Sequence, residues 1–411
     1  VIPLPLAEVR ELALGVLDGD VDAITGVQVD SRLVEPGDLF VAVSGGEAFL
    51  DDARANGAGA TLVPDDPHAA LAALGGAVRA RSDARIVGIT GSVGKTSTKD
   101  ILAALLRPHR RTVAAARGFN NEIGLPLTLC RIEPDTEVVV TEMAMRGPGQ
   151  IREIARIARP HVGVITAIAP VHLEQLGSLA NIARAKAELL EELEPGSVAV
   201  LPEHAPELEP FVPEGLDVRR FAPPESEVRD GRTHLRWRGR DVVFGFAARH
   251  QATNAAAALT AAEALGLEPP REPVDVTFSL WRSQEVELPG GGLLLNDSWN
   301  ANPVAMRAAL AHLRERADGR RTVAILGEMA ELGSEAARYH EEIGHEAEPI
   351  DIVLGVGELA RGYAPDEWVP TAAAAVEATR SLVRPGDAIL VKGSRSVGLE
   401  VVADALLEVT A

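Results

Sequence analysis

Short apolar runs alternate along this chain with segments whose apolar residues recur at three- and four-residue spacing. The runs read as strands buried on both faces, and the spaced segments as helices covering them. Ile86, Val87 and Ile89 form one run, which stops at Gly91. Ile101, Leu102, Leu105 and Leu106 mark the helix that follows, and Pro108 ends it. The pattern continues through a strand at 138–141, a helix at 150–158, a strand at 161–167, a helix at 178–194 and a strand at 197–201. This predicts an α/β fold with a mostly parallel sheet, covered on both faces, whose site lies at the strand C-terminal ends.

Three changes of pattern divide the chain. Residues 1–83 read as a small α/β unit, with a turn at Pro36-Gly37 before a strand at 39–43 and an Ala/Gly/Arg-rich stretch at 69–84 closing it. Within 84–273, residues 217–247 switch to two-residue alternation with turns at Asp230-Gly231 and Arg238-Gly239, which predicts an antiparallel appendage. A helix at 251–265 follows, then a proline-rich linker at 267–273. Residues 274–411 show strands at 293–295, 322–326, 351–356 and 388–391 with helices between them, a second open α/β sheet. At 411 residues, two to three domains is the ordinary expectation.

The net charge of −20 speaks against a general nucleic-acid or anionic-membrane binder, while leaving room for anionic small molecules held by a few donors. Cys130 is the only cysteine, so no intrachain disulfide forms. The opening VIPLPLAEVRELALG lacks the regions of a secretory signal, and the apolar stretch 162–171 is far short of a membrane span. A cytoplasmic protein is expected. Of 40 basic residues only Lys95, Lys99, Lys186 and Lys392 are lysines. A chain that uses arginine for generic surface charge keeps lysine where size or amine chemistry excludes arginine.

The strand ending at Gly91 leads through Gly91-Ser92-Val93-Gly94 into Lys95, Thr96, Ser97 and a helix. A glycine turn opening a helix makes a phosphate cradle, in which backbone N–H groups face the anion, lysine reaches the outer phosphates and threonine can ligate magnesium. The spacing is unusual: the common loop has its first glycine six residues before the lysine, whereas Gly91 lies four before Lys95. Glu142 ends a strand parallel to the first, where a carboxylate can reach a loop-bound magnesium or simply face solvent. His172 follows the next strand. Lys186 is mid-helix, either a solvated lysine paired with Glu188 or Glu191, or an amine able to take up carbon dioxide as a carbamate, a good magnesium ligand. Asp297 and Asn300 in NDSWNANP lie at a sheet edge of the third unit, with Arg282 upstream able to complete a charge clamp. Lys392 in VKGSRS repeats the strand-end placement and suggests contact with an anionic substrate group. Ser31 and Arg32 can hold a phosphate by hydroxyl and fork geometry, or form an ordinary exposed loop pair.

DSRLVEPGDLFVAV, GITGSVGKTSTK, GFNNEIGLPLT, EMAMRGPGQI, ITAIAPVHLEQLGS with AKAEL, NDSWNANP, ILGEMAELG and VKGSRS together resemble the Mur ligases, and among them the members that add a dipeptide. Their order covers nearly the whole chain, and the short phosphate loop is the form this family uses. The resemblance implies an N-terminal domain holding a UDP-sugar peptide, a central ATPase domain and a C-terminal Rossmann-like domain. It implies ATP-driven joining of D-alanyl-D-alanine to a UDP-N-acetylmuramoyl tripeptide, through an acyl phosphate, by a monomer using magnesium, with two ions expected. By motif match, residues 91–97 bind ATP, with Asn254 on the adenine side and Arg282, Asp297 and Asn300 reaching in from the third domain. Thr96, Glu142, His172 and a carbamylated Lys186 are the implied metal ligands, and Ser31, Arg32, Asn121 and Lys392 the implied substrate contacts. Trp281 stands for the family's glycine before the arginine, Trp299 for a tyrosine, Gln251 for an asparagine and Asn296 for an aspartate. The segment after Ser44 lacks the family's DGH signature.

Overall fold

The computed structural model describes residues 1–171 and 173–408. Its central sheet runs Asp217–Phe221, Val198–Pro202, Val162–Ile165, Arg85–Thr90, Val138–Glu142, Thr112–Ala114, all parallel. The phosphate-loop strand therefore sits inside the sheet, with Ile89 opposite Glu142 and Thr90 opposite Ile165. That register carries Glu142 and the segment after Ile165 to the edge where the loop begins. One face is covered by the helices Lys95–Leu106 and Ala252–Ala264, whose alanines let helix and sheet approach closely. The other is covered by Gln150–Ala158 and Leu179–Glu191.

Residues 217–247 divide differently from the alternation expected of them. Asp217–Phe221 is the parallel edge strand, and only Ser226–Arg229, Arg232–Trp237 and Arg240–Phe244 form the antiparallel sheet. That strand, DVRRF, buries only Phe221 and is otherwise exposed or half-exposed, so its polar sequence does not distinguish a parallel edge from an antiparallel ribbon.

In the third unit the order is Gln284–Leu288, Gly292–Asp297, Ala388–Lys392, Thr322–Gly327, Ile352–Val356, Glu367–Val369, with only the first pair antiparallel. Helices Pro303–Ala317 and Ala336–Ala347 pack on one face and Ala372–Leu382 and Glu400–Glu408 on the other. Asn302 caps the first of these by accepting from Ala305 N, and Pro303 occupies its first turn.

The N-terminal sheet, Gly15–Gly19, Ala60–Pro64, Asp38–Val41, Gly26–Gln28, is antiparallel only at its first pair. The Ala/Gly/Arg-rich stretch contains the helix Pro67–Arg79, begun by Asp66 accepting from His68 and Ala69 N–H groups. Leu71, Leu74 and Val78 on this helix share one core with Leu125, Val139, Ile151 and Leu189 of the central unit. Gly75 makes that contact possible: a Cβ there would lie 2.9 Å from Pro126 Cα. Gly75→Val should cost about 2 kcal/mol through overpacking, read as a lower denaturation midpoint at unchanged slope.

Candidate functional site

The loop is shaped by two glycines and strapped to the neighbouring strand. Gly91 has φ +148°, and a Cβ there would fall 1.9 Å from Thr166 Oγ1. Gly94, at φ +83°, precedes the helix, and a Cβ there would fall 2.2 Å from Asn254 Oδ1. Ser92 donates through N–H to Ala167 O (2.8 Å) and through Oγ to Ala169 O (3.0 Å), while Thr166 Oγ1 donates to Val93 O (2.5 Å). Thr98 N donates to Gly94 O, leaving the N–H groups of Lys95, Thr96 and Ser97 without intrahelical acceptors and turned to the cavity. Lys95 Nζ donates to Gly91 O (2.8 Å).

Beside the loop lies a buried carboxylate. Glu142 accepts from Thr96 Oγ1 at Oε2 and from Asn120 Nδ2 at Oε1, both at 2.8 Å. Burial opposes its ionisation, but the charges of Arg282 and Lys95 and these two hydrogen bonds outweigh it and hold the carboxyl below its ordinary range. Burial pushes the Lys95 amine down, against the pull of Glu142. Lys186 is 2% exposed, and burial, with Lys95 adding to it, pushes its amine well below the ordinary lysine range. The carboxylates expected to pair with it are engaged elsewhere: Glu188 accepts from the N–H groups of Gly149 (2.7 Å) and Arg152 (3.1 Å), and Glu191 pairs with Arg152. A solvated, ion-paired Lys186 is therefore not what the structure contains. His172 lies outside the described residues.

The third unit forms the opposite wall. Arg282, Asp297, Asn300 and Lys392 line one cavity of about 330 Å³ with residues 92–97, Thr166, His250, Gln251 and Asn254. Lys392, buried, donates to Asp297 Oδ2 and to Asn300 O (2.9 Å), so its charge holds the NDSWNANP turn from within. Asp297 Oδ1 also accepts from Ser283 N (3.2 Å). Asn254 packs beneath Gly94 and donates to Gln251 Oε1 (2.6 Å), and Gln251 Nε2 donates to Ser283 Oγ (2.9 Å). Asn300 accepts at Oδ1 from Ala301 N.

Three expected substrate contacts stand outside this cavity. Ser31 and Arg32 lie on the turn Ser31–Leu33, with Arg32 exposed and forked onto Asp30, whose carboxyl it holds down at about 2. Asn121 accepts from Ile123 and Gly124 N–H groups and starts the helix Gly124–Leu129, while its neighbour Asn120 makes the bond to Glu142. Asn120 and Thr166 were not expected from the sequence; Thr166 carries a signal, as a polar side chain one residue past the parallel strand Val162–Ile165, whereas Asn120 lies in a loop six residues past Thr112–Ala114, where no such signal marks it.

This architecture matches known proteins throughout. Residues 89–262 match the Mur ligase middle domain, and residues 281–395 the Mur ligase, glutamate ligase domain. A Mycobacterium leprae UDP-N-acetylmuramoyl-tripeptide–D-alanyl-D-alanine ligase is 32% identical over 99% of this chain and 98% of its own length. The chain belongs to the Mur ligase family. Among solved structures, a MurF from Acinetobacter baumannii superposes with a TM-score of 0.84 at 25% identity, covering 99% of each chain. MurF ligase from Thermotoga maritima in complex with ADP superposes at 0.80 with 26% identity, covering 93% of this chain and 97% of that one. Among the described residues no helix is long and apolar enough to cross a membrane.

Two predictions test this Mur ligase site. Gly91→Ala, strained by φ and colliding with Thr166, should weaken ATP binding about tenfold or more in calorimetric titration, with the fold retained. The second concerns His250, which burial, then His312, pushes down to about 4 from an ordinary 6.5. The unfolded chain takes that proton first, so stability present above pH 6.5 is lost as the pH falls toward 4. Between pH 7 and 5 the loss should be about 2 kcal/mol in urea unfolding, and His250→Gln should abolish that increment.

Proposed function

We propose that this chain is the ATP-dependent ligase that joins D-alanyl-D-alanine to the UDP-N-acetylmuramoyl tripeptide in peptidoglycan precursor synthesis. The observation carrying this reading is full-length similarity to ligases of that name, joined to a phosphate loop whose Lys95 shares one pocket with Arg282, both charges acting on the buried Glu142 beside it. In the proposed division of labour residues 1–83 bind the UDP-sugar peptide through Ser31 and Arg32, joined by Asn121 of the central unit; residues 84–273 bind ATP, and 274–411 close over it. The working form is a monomer in the cytoplasm.

The reaction begins when the tripeptide's terminal carboxylate attacks the γ-phosphorus of ATP. The bond to the β–γ bridging oxygen breaks and ADP leaves, giving an acyl phosphate. The neutral amine of D-alanyl-D-alanine then adds to the acyl carbon, and the tetrahedral intermediate expels inorganic phosphate, which takes up the proton the nitrogen loses as the amide forms. Two anions must meet in the first step, and Lys95 and Arg282, placed on opposite sides of the pocket, offset that repulsion. The N–H groups of residues 95–97 hold the phosphates in place. Enclosure between two sheets keeps water from the acyl phosphate.

Thr96 and Glu142 fit magnesium: a hydroxyl and an ionised carboxylate, already 2.8 Å apart, are the hard oxygen donors it takes. Lys186, buried and biased toward its neutral amine, is suited to capture carbon dioxide, and its carbamate would add a further oxygen. His172 completes the proposed set. Magnesium, when bound, would neutralise charge on the transferring phosphate.

A coupled phosphate-release assay over a panel of UDP-muramoyl peptides and amine acceptors tests the assignment. Release should require both the tripeptide and D-alanyl-D-alanine; ATP turnover indifferent to them would sink it. Lys186→Arg should lower activity about a hundredfold despite keeping the charge. The same variant should lose the carbamate resonance that isotope-labelled carbon dioxide produces in the parent enzyme.

A further inference from the structure

Beside the nucleotide cavity, the boundary between the central and third units is crossed by a stack that none of the assigned roles uses. Trp281 and Trp299 lie ring to ring at 6.0 Å and 29°. The guanidinium of Arg117, from the loop after the strand Thr112–Ala114, lies 4.1 Å from the Trp281 centroid and 5.0 Å from that of Trp299. Arg395 lies over the same pair at 5.0 and 5.4 Å. Among the described residues Arg117 Nη1 is buried without a hydrogen-bond partner, and the indole faces are the contacts beside it. Trp281 has φ +64°, a conformation costly for a bulky L-residue, which persists only where the surroundings enforce it.

Both legs of this contact lead straight into the site. Arg117 is three residues before Asn120, which orients Glu142; Trp281 immediately precedes Arg282, whose charge acts on Glu142. Both legs are also moored to one point on the phosphate-loop helix. Lys99 Nζ donates to Ala115 O (2.9 Å) and Ser279 Oγ (3.4 Å), and its partner Asp100 accepts from Ser279 N (2.8 Å). Lys99 and Asp100 are thus a fixed pivot, two residues from each arm of the stack.

We propose that Arg117, Trp281 and Trp299 form a cation–π latch that holds the third unit closed and sets Arg282 and Asn120 against Glu142. The three are positioning residues for the ligation, a claim resting on the reading of Arg282 as a phosphate contact. A latch of this kind stabilises the closed state in which transfer occurs, while leaving ground-state nucleotide binding by the central unit intact.

The test measures kcat, the KM for each substrate, ATP affinity and melting temperature for Arg117→Ala, Arg117→Lys, Trp281→Phe and Arg282→Ala. Arg117→Ala should lower kcat about tenfold, with ATP affinity, the tripeptide KM and melting temperature within twofold or a few degrees of the parent. Arg117→Lys and Trp281→Phe should each recover part of the loss. The indole emission of the parent should shift when ATP and tripeptide are added together, and that shift should disappear in Arg117→Ala. A full kcat in Arg117→Ala while Arg282→Ala is impaired would overturn the latch. A loss confined to the tripeptide KM would also overturn it, since Arg117 would then be a substrate contact. An unimpaired Arg282→Ala would instead remove the reading on which the latch rests.

Discussion

A carboxylate with almost no access to water is the constraint around which this protein is arranged. Glu142 sits at the end of an interior strand, and nearby positive charge, with two donated hydrogen bonds, makes its ionised form tolerable. Lys95 comes from the loop next door, but Arg282 comes from beyond the linker, so the central unit alone does not complete the site. The hydrogen bonds from Thr96 and Asn120 then fix which way the oxygens face. Strand register, loop glycines and the packing of the third unit all converge on this one group.

The same economy explains why the phosphate loop departs from the commoner spacing. Its turn is held by side chains of the adjacent strand segment, Thr166 and the backbone at Ala167 and Ala169, where a longer loop would support itself. Gly91 and Gly94 are required as much by Thr166 and Asn254 crowding in from outside as by their own backbone angles.

What was legible in the sequence was whatever rests on local pattern. The parallel sheets, the linker, the loop and the strand-end positions of Glu142 and Asp297 all followed from periodicity and turn residues. The helix Pro67–Arg79 did not, because glycines inside it mask a pattern whose purpose is close packing on Pro126. Nor did the division of labour between Asn120 and Asn121, since adjacent amides in a loop differ only in direction. The fate of Lys392 was hidden for another reason: whether a strand-end lysine meets a ligand or an internal carboxylate depends on a turn 95 residues away in the chain. Lys186 was singled out through composition, and the structure gave that bias a cause, since no arginine could be held neutral at such a depth.

Lysine scarcity has a further chemical consequence. Lys99, Lys186 and Lys392 are at most 4% exposed, and Lys95 is half-buried in the nucleotide cavity. The outer surface therefore presents its positive charge as guanidinium, which acylating reagents and reactive aldehydes attack poorly. Against this chain an amine-directed electrophile finds one partly open lysine side chain, and it is the one lining the cavity between the central and third units. Covalent damage or labelling by such compounds would report whether the nucleotide is in place, and a bound nucleotide would shield the enzyme from them.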